Sequence, residues 1–399
     1  MSSPATHRVV IAGGGFAALE AMIALRRLAG GRVQLALVSP TRELAYPPLS
    51  VVEPFGLGEA PRFDLAEIAR DHEAELHVDA AGEVDATRRV LRTRSDGELP
   101  YDSLLVTTGA EPREAVPGTL TFRGSADRPA FEALLADIDA GRVGSVAFAV
   151  PAGTAWPLPL YELALMTAAR ADSNDSPARF ALVTAEQAPL GIFGRQASDA
   201  VATLLRERGI ELRTSTVPIG FEHGSLVVTA GEPLEADRVV SMPLLRGRSP
   251  EGLPHDVHGF LPTDEHGRVR DCEDVYAAGD VTAFPVKQGG IATQQADAAA
   301  RTIAARAGSP VEAEPFRPVL RGLLLTGEGA RFMRAQIAGG QGDVSDVSTR
   351  MLWWPETKVA GQYLSHYLTR TMEPLQGVEP LPADAVPVEV DLTHAQSGT

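Results

Sequence analysis

Thiols are almost absent from this chain: Cys272 is the only cysteine among 399 residues. A single thiol excludes an internal disulfide framework, a cysteine-rich zinc site, an iron–sulfur cluster and any mechanism that cycles a cysteine pair. Positive charge is also scarce, with 36 basic residues against 52 acidic ones and a net charge of -16. That balance excludes nucleic acid as a main partner, because holding phosphates needs clustered Lys and Arg. No apolar run reaches the roughly 18 residues of a membrane-spanning helix. The opening residues Met1–His7 are too few and too polar for a signal peptide, so the chain reads as cytoplasmic. The G-x-S-x-G, H-E-x-x-H and G-x-x-x-x-G-K-[ST] motifs are missing too. His255, His258 and His266 have only loose spacing and no acidic triad around them, and read as loop residues.

What is present is an ordinary globular composition, 44% hydrophobic and 22% charged, in a chain long enough for two or three domains. Arg8–Ala12 is a β-branched run, followed by a glycine loop, a helix-spaced stretch over Ala17–Leu28 and a second apolar run, Val33–Val38. Strand, loop, helix, strand is the opening of a parallel α/β sheet. A similar unit starts at Val146–Val150 and continues through a helix near Leu160–Ala171 to a strand at Arg179–Thr184. Val275–Ala278 leads into Gly279-Asp280, and Ile291–Ala305 is an Ala-rich helix. Residues 311–399 carry their own aromatic cluster. Trp353 to Lys358 opens a candidate helix there, and Val386–Val390 reads as a short strand.

The loop Gly13-Gly14-Gly15-Phe16-Ala17-Ala18 lies between a strand and a helix, where a glycine loop binds a dinucleotide. Gly13 permits the tight turn, and Gly15 lets the backbone approach a pyrophosphate seated on the helix N-terminus. Ala18 stands in place of the third glycine. The carboxylate expected after the second strand is missing; Ser39 takes its place, with Glu43 a little further on. Either side chain is a candidate ribose contact.

Val275-Tyr276-Ala277-Ala278-Gly279-Asp280 resembles the second FAD motif of the two-dinucleotide-domain flavoproteins, and Leu105-Val106-Thr107-Thr108-Gly109-Ala110-Glu111-Pro112 resembles their A-T-G-x-x-P signature. Within that superfamily the chain looks most like the branch with sulfide:quinone oxidoreductases, flavocytochrome c sulfide dehydrogenases and type II NADH dehydrogenases. Val38-Ser39-Pro40, Tyr46-Pro47-Pro48-Leu49, and Phe284 through Gly290 with Gln294-Gln295 carry that likeness. The resemblance implies a glutathione-reductase-like α/β fold with two Rossmann-like domains. Residues 1–118 and 238–310 would form the FAD domain, 119–237 a second NAD(P)-type domain, and 311–399 a C-terminal interface region. It implies that Asp280 binds the ribityl chain, that the helix starting at Gly290-Ile291 points at the isoalloxazine, and that Phe16, Ala17, Thr108, Gly109 and Gly279 line the cofactor. Lys287 and Tyr46 become candidate catalytic groups, each with a plainer alternative as a surface lysine and a core tyrosine.

The absences then sharpen the reading. Residues 44–60 contain no cysteine pair, so disulfide-reductase chemistry and persulfide-based sulfide oxidation both lack a thiolate. Cys272 sits among Asp271, Glu273 and Asp274, which raise a thiol's pKa. The second loop, Pro151 to Glu162, holds one glycine and three prolines, and proline offers no N–H to a pyrophosphate. Glu162 and Glu186 still match the NADH-site pattern, so NAD(P)H binding stays open. The expectation is an FAD-dependent oxidoreductase passing electrons from a small-molecule donor to a quinone-like or protein acceptor without cysteine chemistry. The alternative is a flavoprotein with structural or sensory FAD that acts by binding a partner. A homodimer and peripheral contact with a membrane through the aromatic segment complete the reading.

Overall fold

The computed structural model describes residues 6–338, 341–348, 352–353, 357–370 and 372. Along the chain the elements used below are His7–Ala12 (β1), Phe16–Ala29 (α1), Val33–Ser39 (β2), Ala74–Val78 (β3), Ser103–Val106 (β4), Leu120–Thr121 (β5), Ser145–Val150 (β6), Leu158–Ser173 (α2), Arg179–Thr184 (β7), Arg195–Glu207 (α3), Ile210–Arg213 (β8), Arg238–Ser241 (β9), Val275–Ala277 (β10), Gly289–Arg306 (α4), Val319–Leu325 (β11), Ala330–Ala338 (β12), Gln341–Ser348 (β13) and Leu364–Leu368 (α5).

Two parallel sheets carry the fold, in the α/β class the sequence pattern indicates. The first runs β10-β4-β1-β2-β3 and the second β5-β9-β6-β7-β8. β1 and β6 are central and buried, which is why both read as near-continuous apolar runs rather than alternating ones. From β1 the chain steps outward to β2 and β3, then returns to lay β4 on the other side. The strand order therefore reverses between β1 and β4, and a crevice opens at their carboxyl ends. Ala12 aligns with Val38 on one side and Val106 on the other, so the Gly13 loop leaves the sheet at that crevice.

α1 and α4 pack closely because their facing residues are small: Ala17, Ala18 and Ala21 on one, Ala292, Ala296 and Ala299 on the other, all buried. The two sheet units are bridged by the antiparallel pair Ala110–Arg113 and Leu244–Gly247. The antiparallel sheet β11-β12-β13 seats on both units. Gly322 of β11 lies so close to α2 and its neighbouring turn that a Cβ there would come 2.4 Å from Phe193 and 3.1 Å from Leu158. The Gln294 side chain of α4 brackets Val319, donating to its carbonyl at 2.9 Å and accepting from its N–H at 2.8 Å.

Candidate functional site

The three loop glycines have separate reasons. Gly13 has a φ of +138°, and a Cβ there would lie 2.2 Å from the Thr107 carbonyl oxygen. Its N–H donates to the Val38 carbonyl at 2.8 Å, which ties the loop to the end of β2. Gly14 would meet Ser39 Oγ at 2.4 Å and Leu65 at 2.8 Å, so it is needed for packing. Gly15 faces open space with no atom within 4 Å of its would-be Cβ. It is also the N-cap of α1, with no side-chain cap and no acidic residue in the first turn. Free N–H groups and the positive end of the helix dipole are thus left for an anionic ligand.

Ser39 is buried at the end of β2, where its hydroxyl accepts from the Thr41 N–H at 3.3 Å. Glu43 is exposed on a short ribbon, Glu43–Ala45 against Arg62–Asp64, and pairs with Arg62 at 3.3 Å. Thr108 Oγ1 donates to the Arg248 carbonyl at 2.6 Å, and the Gly109 carbonyl accepts from the Arg248 N–H at 3.1 Å. The strand-linking ribbon is thereby fixed beside the crevice.

The second motif meets the first. A Cβ on Gly279, whose φ is +82°, would lie 3.2 Å from that of Ala17 and 3.4 Å from that of Ala292. The turn after β10 therefore touches the first turns of both α1 and α4. The Gly279 N–H donates to Gln295 Oε1 at 2.8 Å. Asp280, half-buried, accepts no hydrogen bond from any described residue, and burial holds its carboxyl above the usual range against the pull of Lys287. An acceptor-only group in that position suits the hydroxyls of a polyol chain, and the uncapped α1 suits a pyrophosphate. The residues present fit an FAD. Lys287 is buried rather than a surface lysine: its ammonium donates to the Thr282 carbonyl and lies 3.9 Å above the Phe260 ring. Burial lowers its pKa to about 8, against Asp280 and Asp256.

The second-motif helix and Tyr46 are both tied to the C-terminal segment. The helix of the second motif begins at Gly289, and its N-terminus is capped: Gln288 Oε1 accepts from the Ile291 N–H at 2.9 Å. Gln288 Nε2 reaches the Arg321 and Lys358 carbonyls at 3.3 and 3.4 Å. Gly289 packs against Val359 and Phe16, and Gly290 against Ala360. Gly290 and Ile291 are thus covered by residues 357–360, a strap that no local pattern announces. Tyr46 is fully buried, stacks edge-on to Phe16 at 5.3 Å and accepts from the Val359 N–H at 3.0 Å. Burial pushes its phenol well above the ordinary value, and its oxygen anchors the strap at Val359.

The second loop is closed around its acids. Glu162, on α2, is buried and accepts from Lys358 Nζ at 2.6 and 2.8 Å and from the Leu325 N–H at 2.9 Å. Burial pushes Glu162 up and Lys358 down, and each opposes the other's shift. Glu186, just past the end of β7, accepts from Tyr161 at 2.7 Å and Thr184 at 2.9 Å. Trp353 turns inward onto Phe332 at 5.2 Å, and its indole donates to the Thr357 carbonyl at 3.1 Å. The candidate helix from Trp353 is instead the short α5; Trp354 to Glu356 and Val386–Val390 lie outside the described residues. Burial, then Asp271, raises the Cys272 thiol. Among the described residues no helix is long and apolar enough to cross a membrane.

Sequence reading missed Glu20, Asp297 and Lys358. For Glu20 and Asp297 the one signal was a charged residue among small or apolar neighbours, as in Leu19-Glu20-Ala21; Lys358, after Pro355-Glu356-Thr357, had none.

Residues 7–302 match the family model described as pyridine nucleotide-disulphide oxidoreductase. The chain is 27% identical over 372 residues to the type II NADH:quinone oxidoreductase Ndh of Mycobacterium tuberculosis, covering 81% of this chain and 78% of that one. It is 29% identical over 311 residues to an NADH dehydrogenase-like protein of the same species, covering 69% and 73%. The sulfide:quinone oxidoreductase of Aquifex aeolicus superposes with a TM-score of 0.77 at 19% identity, over 86% of this chain and 87% of that one. A ferredoxin reductase from Rhodopseudomonas palustris gives 0.64 at 21% identity, over 84% and 83%. At these identities the two structures bear on the fold alone.

Proposed function

The chain belongs to the pyridine nucleotide-disulphide oxidoreductase family, and from that premise we propose that it carries two electrons or a hydride from NADH or NADPH through FAD to a quinone-like or protein acceptor, without a thiol. It is an FAD-dependent oxidoreductase. Bound FAD supplies the two-electron chemistry; the protein supplies binding, orientation and electrostatics.

The carrying observation is the convergence of the Gly13–Gly15 loop, Gly279 and Asp280 where β1, β4 and β10 end. In this reading the α1 N-terminus, with Phe16 and Ala17 behind it, holds the pyrophosphate. Asp280 accepts from the ribityl hydroxyls, and Ser39 or Glu43 meets the ribose. Thr108 and Gly109 fix the crossing strand. Lys287 places positive charge near Asp280 and the reacting ring. Gly290 and Ile291 support the ring through the covered end of α4. Residues 1–118 and 238–310 make up the FAD unit, and 119–237 the nicotinamide unit. The lone thiol, held protonated by burial and Asp271, supports a route that avoids sulfur. The similarity to a type II NADH:quinone oxidoreductase supports NADH as donor and a quinone as acceptor.

A second reading, a flavoprotein acting by partner binding, draws on the Pro-rich second loop and on Glu162 being engaged by Lys358. Anaerobic mixing of the purified yellow protein with NADH, and separately NADPH, distinguishes the two. Loss of the visible flavin band within seconds, and its return on adding a quinone, is the outcome expected here. A yellow protein that neither nicotinamide bleaches would leave only the second reading. A colourless protein that refuses FAD would end both.

A further inference from the structure

Two acids meet beneath the strap. Glu20 is fully buried on α1, and its two oxygens accept the Tyr363 N–H at 2.8 Å and the Leu364 N–H at 2.7 Å. Asp297 of α4 lies beside it, near enough for the two carboxyl groups to perturb each other's titration, and its Oδ1 is buried with no partner. Gly361 is pressed against the same carboxylate, where a Cβ would come within 2.4 Å of Glu20 Oε2. The neighbouring Thr293 hydroxyl donates to the Ala360 carbonyl at 3.0 Å.

Donor and acceptor chemistry says where a proton would sit if the two carboxyl groups bond to each other. A carboxylate only accepts, and so does its neighbour, so a bond between two carboxyl groups requires one proton between them. Glu20 already takes two backbone N–H groups, as an ionised carboxylate does. The proton therefore belongs on Asp297, whose other oxygen, Oδ1, is buried without a partner. A neutral carbonyl oxygen tolerates that far better than a bare charge. The charged groups around the pair do not replace the proton. Arg301, on α4, points to Glu314 at 3.4 Å. Arg27, on α1, lies over the Tyr363 ring at 5.7 Å. The Tyr363 phenol is the strap's own titratable group nearby. Among the described residues neither carboxyl has a cation within ion-pair distance.

We propose that Glu20 and Asp297 share one proton, and that this proton latches the strap of residues 357–368 onto α1 and α4, so that the strap is closed in neutral solution and released in alkaline solution. Burial and the Glu20 charge hold Asp297 at about 9, far above an unfolded aspartate. The folded state keeps a proton that the unfolded chain releases. The stabilisation is therefore complete below the ordinary carboxyl range and is lost as pH rises through about 9. Once the proton is gone, two carboxylates face each other in a dry site, and the Glu20 grip on the Tyr363 and Leu364 amides fails first.

Hydrogen exchange by mass spectrometry on the full-length protein tests this, with exchange times scaled for the base-catalysed intrinsic rate. In the wild type the peptide spanning Tyr363 and Leu364 should lose up to about tenfold in protection per pH unit as pH rises from neutral solution to the Asp297 value, and level off above it. A peptide within β6 should stay protected throughout, which separates local release from global unfolding. Asp297→Asn retains a donor to Glu20 and cannot ionise, so its strap should stay protected over the whole range. Glu20→Gln should expose the strap at every pH. Infrared titration of the wild type gives a direct readout, a protonated-carboxyl carbonyl band at neutral pH that disappears in the alkaline range and is missing from Asp297→Asn. The same protection profile in wild type and Asp297→Asn would overturn the proposal. So would the lack of any titrating carboxyl band in the wild type, even if both variants failed to fold.

Discussion

The pair Glu162–Lys358 makes the sharpest energetic test of how the C-terminal segment is held. Both side chains are buried, and Lys358 Nζ lies within 2.8 Å of both carboxylate oxygens. Lys358→Met leaves a buried carboxylate with one remaining donor, the Leu325 N–H. Glu162→Gln keeps an acceptor for that N–H but strands a buried ammonium. Removing one partner of such a pair costs about 3–5 kcal/mol, because the survivor keeps its desolvation penalty and loses its compensation. The double variant strands no charge. It leaves only the unpartnered amide N–H₂ that Glu162→Gln introduces, at about 1–3 kcal/mol. Independent effects would sum to about 6–10 kcal/mol, so the cycle should show a coupling of about 3 kcal/mol or more. Urea denaturation followed by tryptophan fluorescence reads it, since Trp353 donates to Thr357 in the same segment. A double variant as unstable as the two singles combined would refute the buried-pair argument. So would singles that cost under about 1 kcal/mol, the worth of an exposed pair.

Other outcomes follow from the same geometry. Gly13→Ala places a methyl against the Thr107 carbonyl at a φ that costs an L-residue about 1–2 kcal/mol before the clash; FAD retained through gel filtration should fall sharply and the melting temperature drop. Asp280→Ala should weaken FAD binding at least about tenfold, the worth of a hydrogen bond to a charged group, measured by flavin fluorescence titration. Lys287 bears on pH. Its folded pKa lies at about 8, below the ordinary 10.5, so the unfolded chain binds the extra proton between those values and the Lys287 contribution to stability, read as wild type minus Lys287→Met, should rise with pH across that window. Turnover should fall over the lower part of the same window as the ammonium discharges, and Lys287→Met should flatten that limb of the kcat profile. Cys272→Ser should keep full turnover and full resistance to thiol reagents, as expected of a thiol outside the electron path.

The parallel units were legible because buried strands are written as apolar runs closed by Gly, and β1, β2, β6 and β7 follow that rule. The tight turn at Gly13 was equally plain, where residue type and neighbouring elements agree. The helix Arg128–Asp139 escaped notice because Pro129 near its start resembles a loop signal, although proline is well suited to a first turn. The strand β11 escaped because Arg321 and Gly322 interrupt its apolar run. The sequence leaves Lys287 open between a flavin-side group and a surface lysine, because its burial under Phe260 depends on a turn far from it in sequence. The reach of Gln288 Nε2 to Arg321 and Lys358, the Tyr46 anchor and the Glu20–Asp297 pair join distant segments, and no local periodicity encodes those. Gly361, forced by the Glu20 carboxylate, is also where the helix expected from Trp353 fails to form.

The seating of β11 and the strap has a consequence for how such a chain can be recombined. Glu20, Tyr46, Glu162, Gln288 and Gln294 all precede β11 in the chain, yet each makes hydrogen bonds to residues beyond Val319 or to Val319 itself. A chimera that takes its last segment from a relative would leave those five side chains facing the wrong partners. The part of this enzyme that resembles an appendage is thus not interchangeable, and a graft would succeed only if the five positions travelled with it.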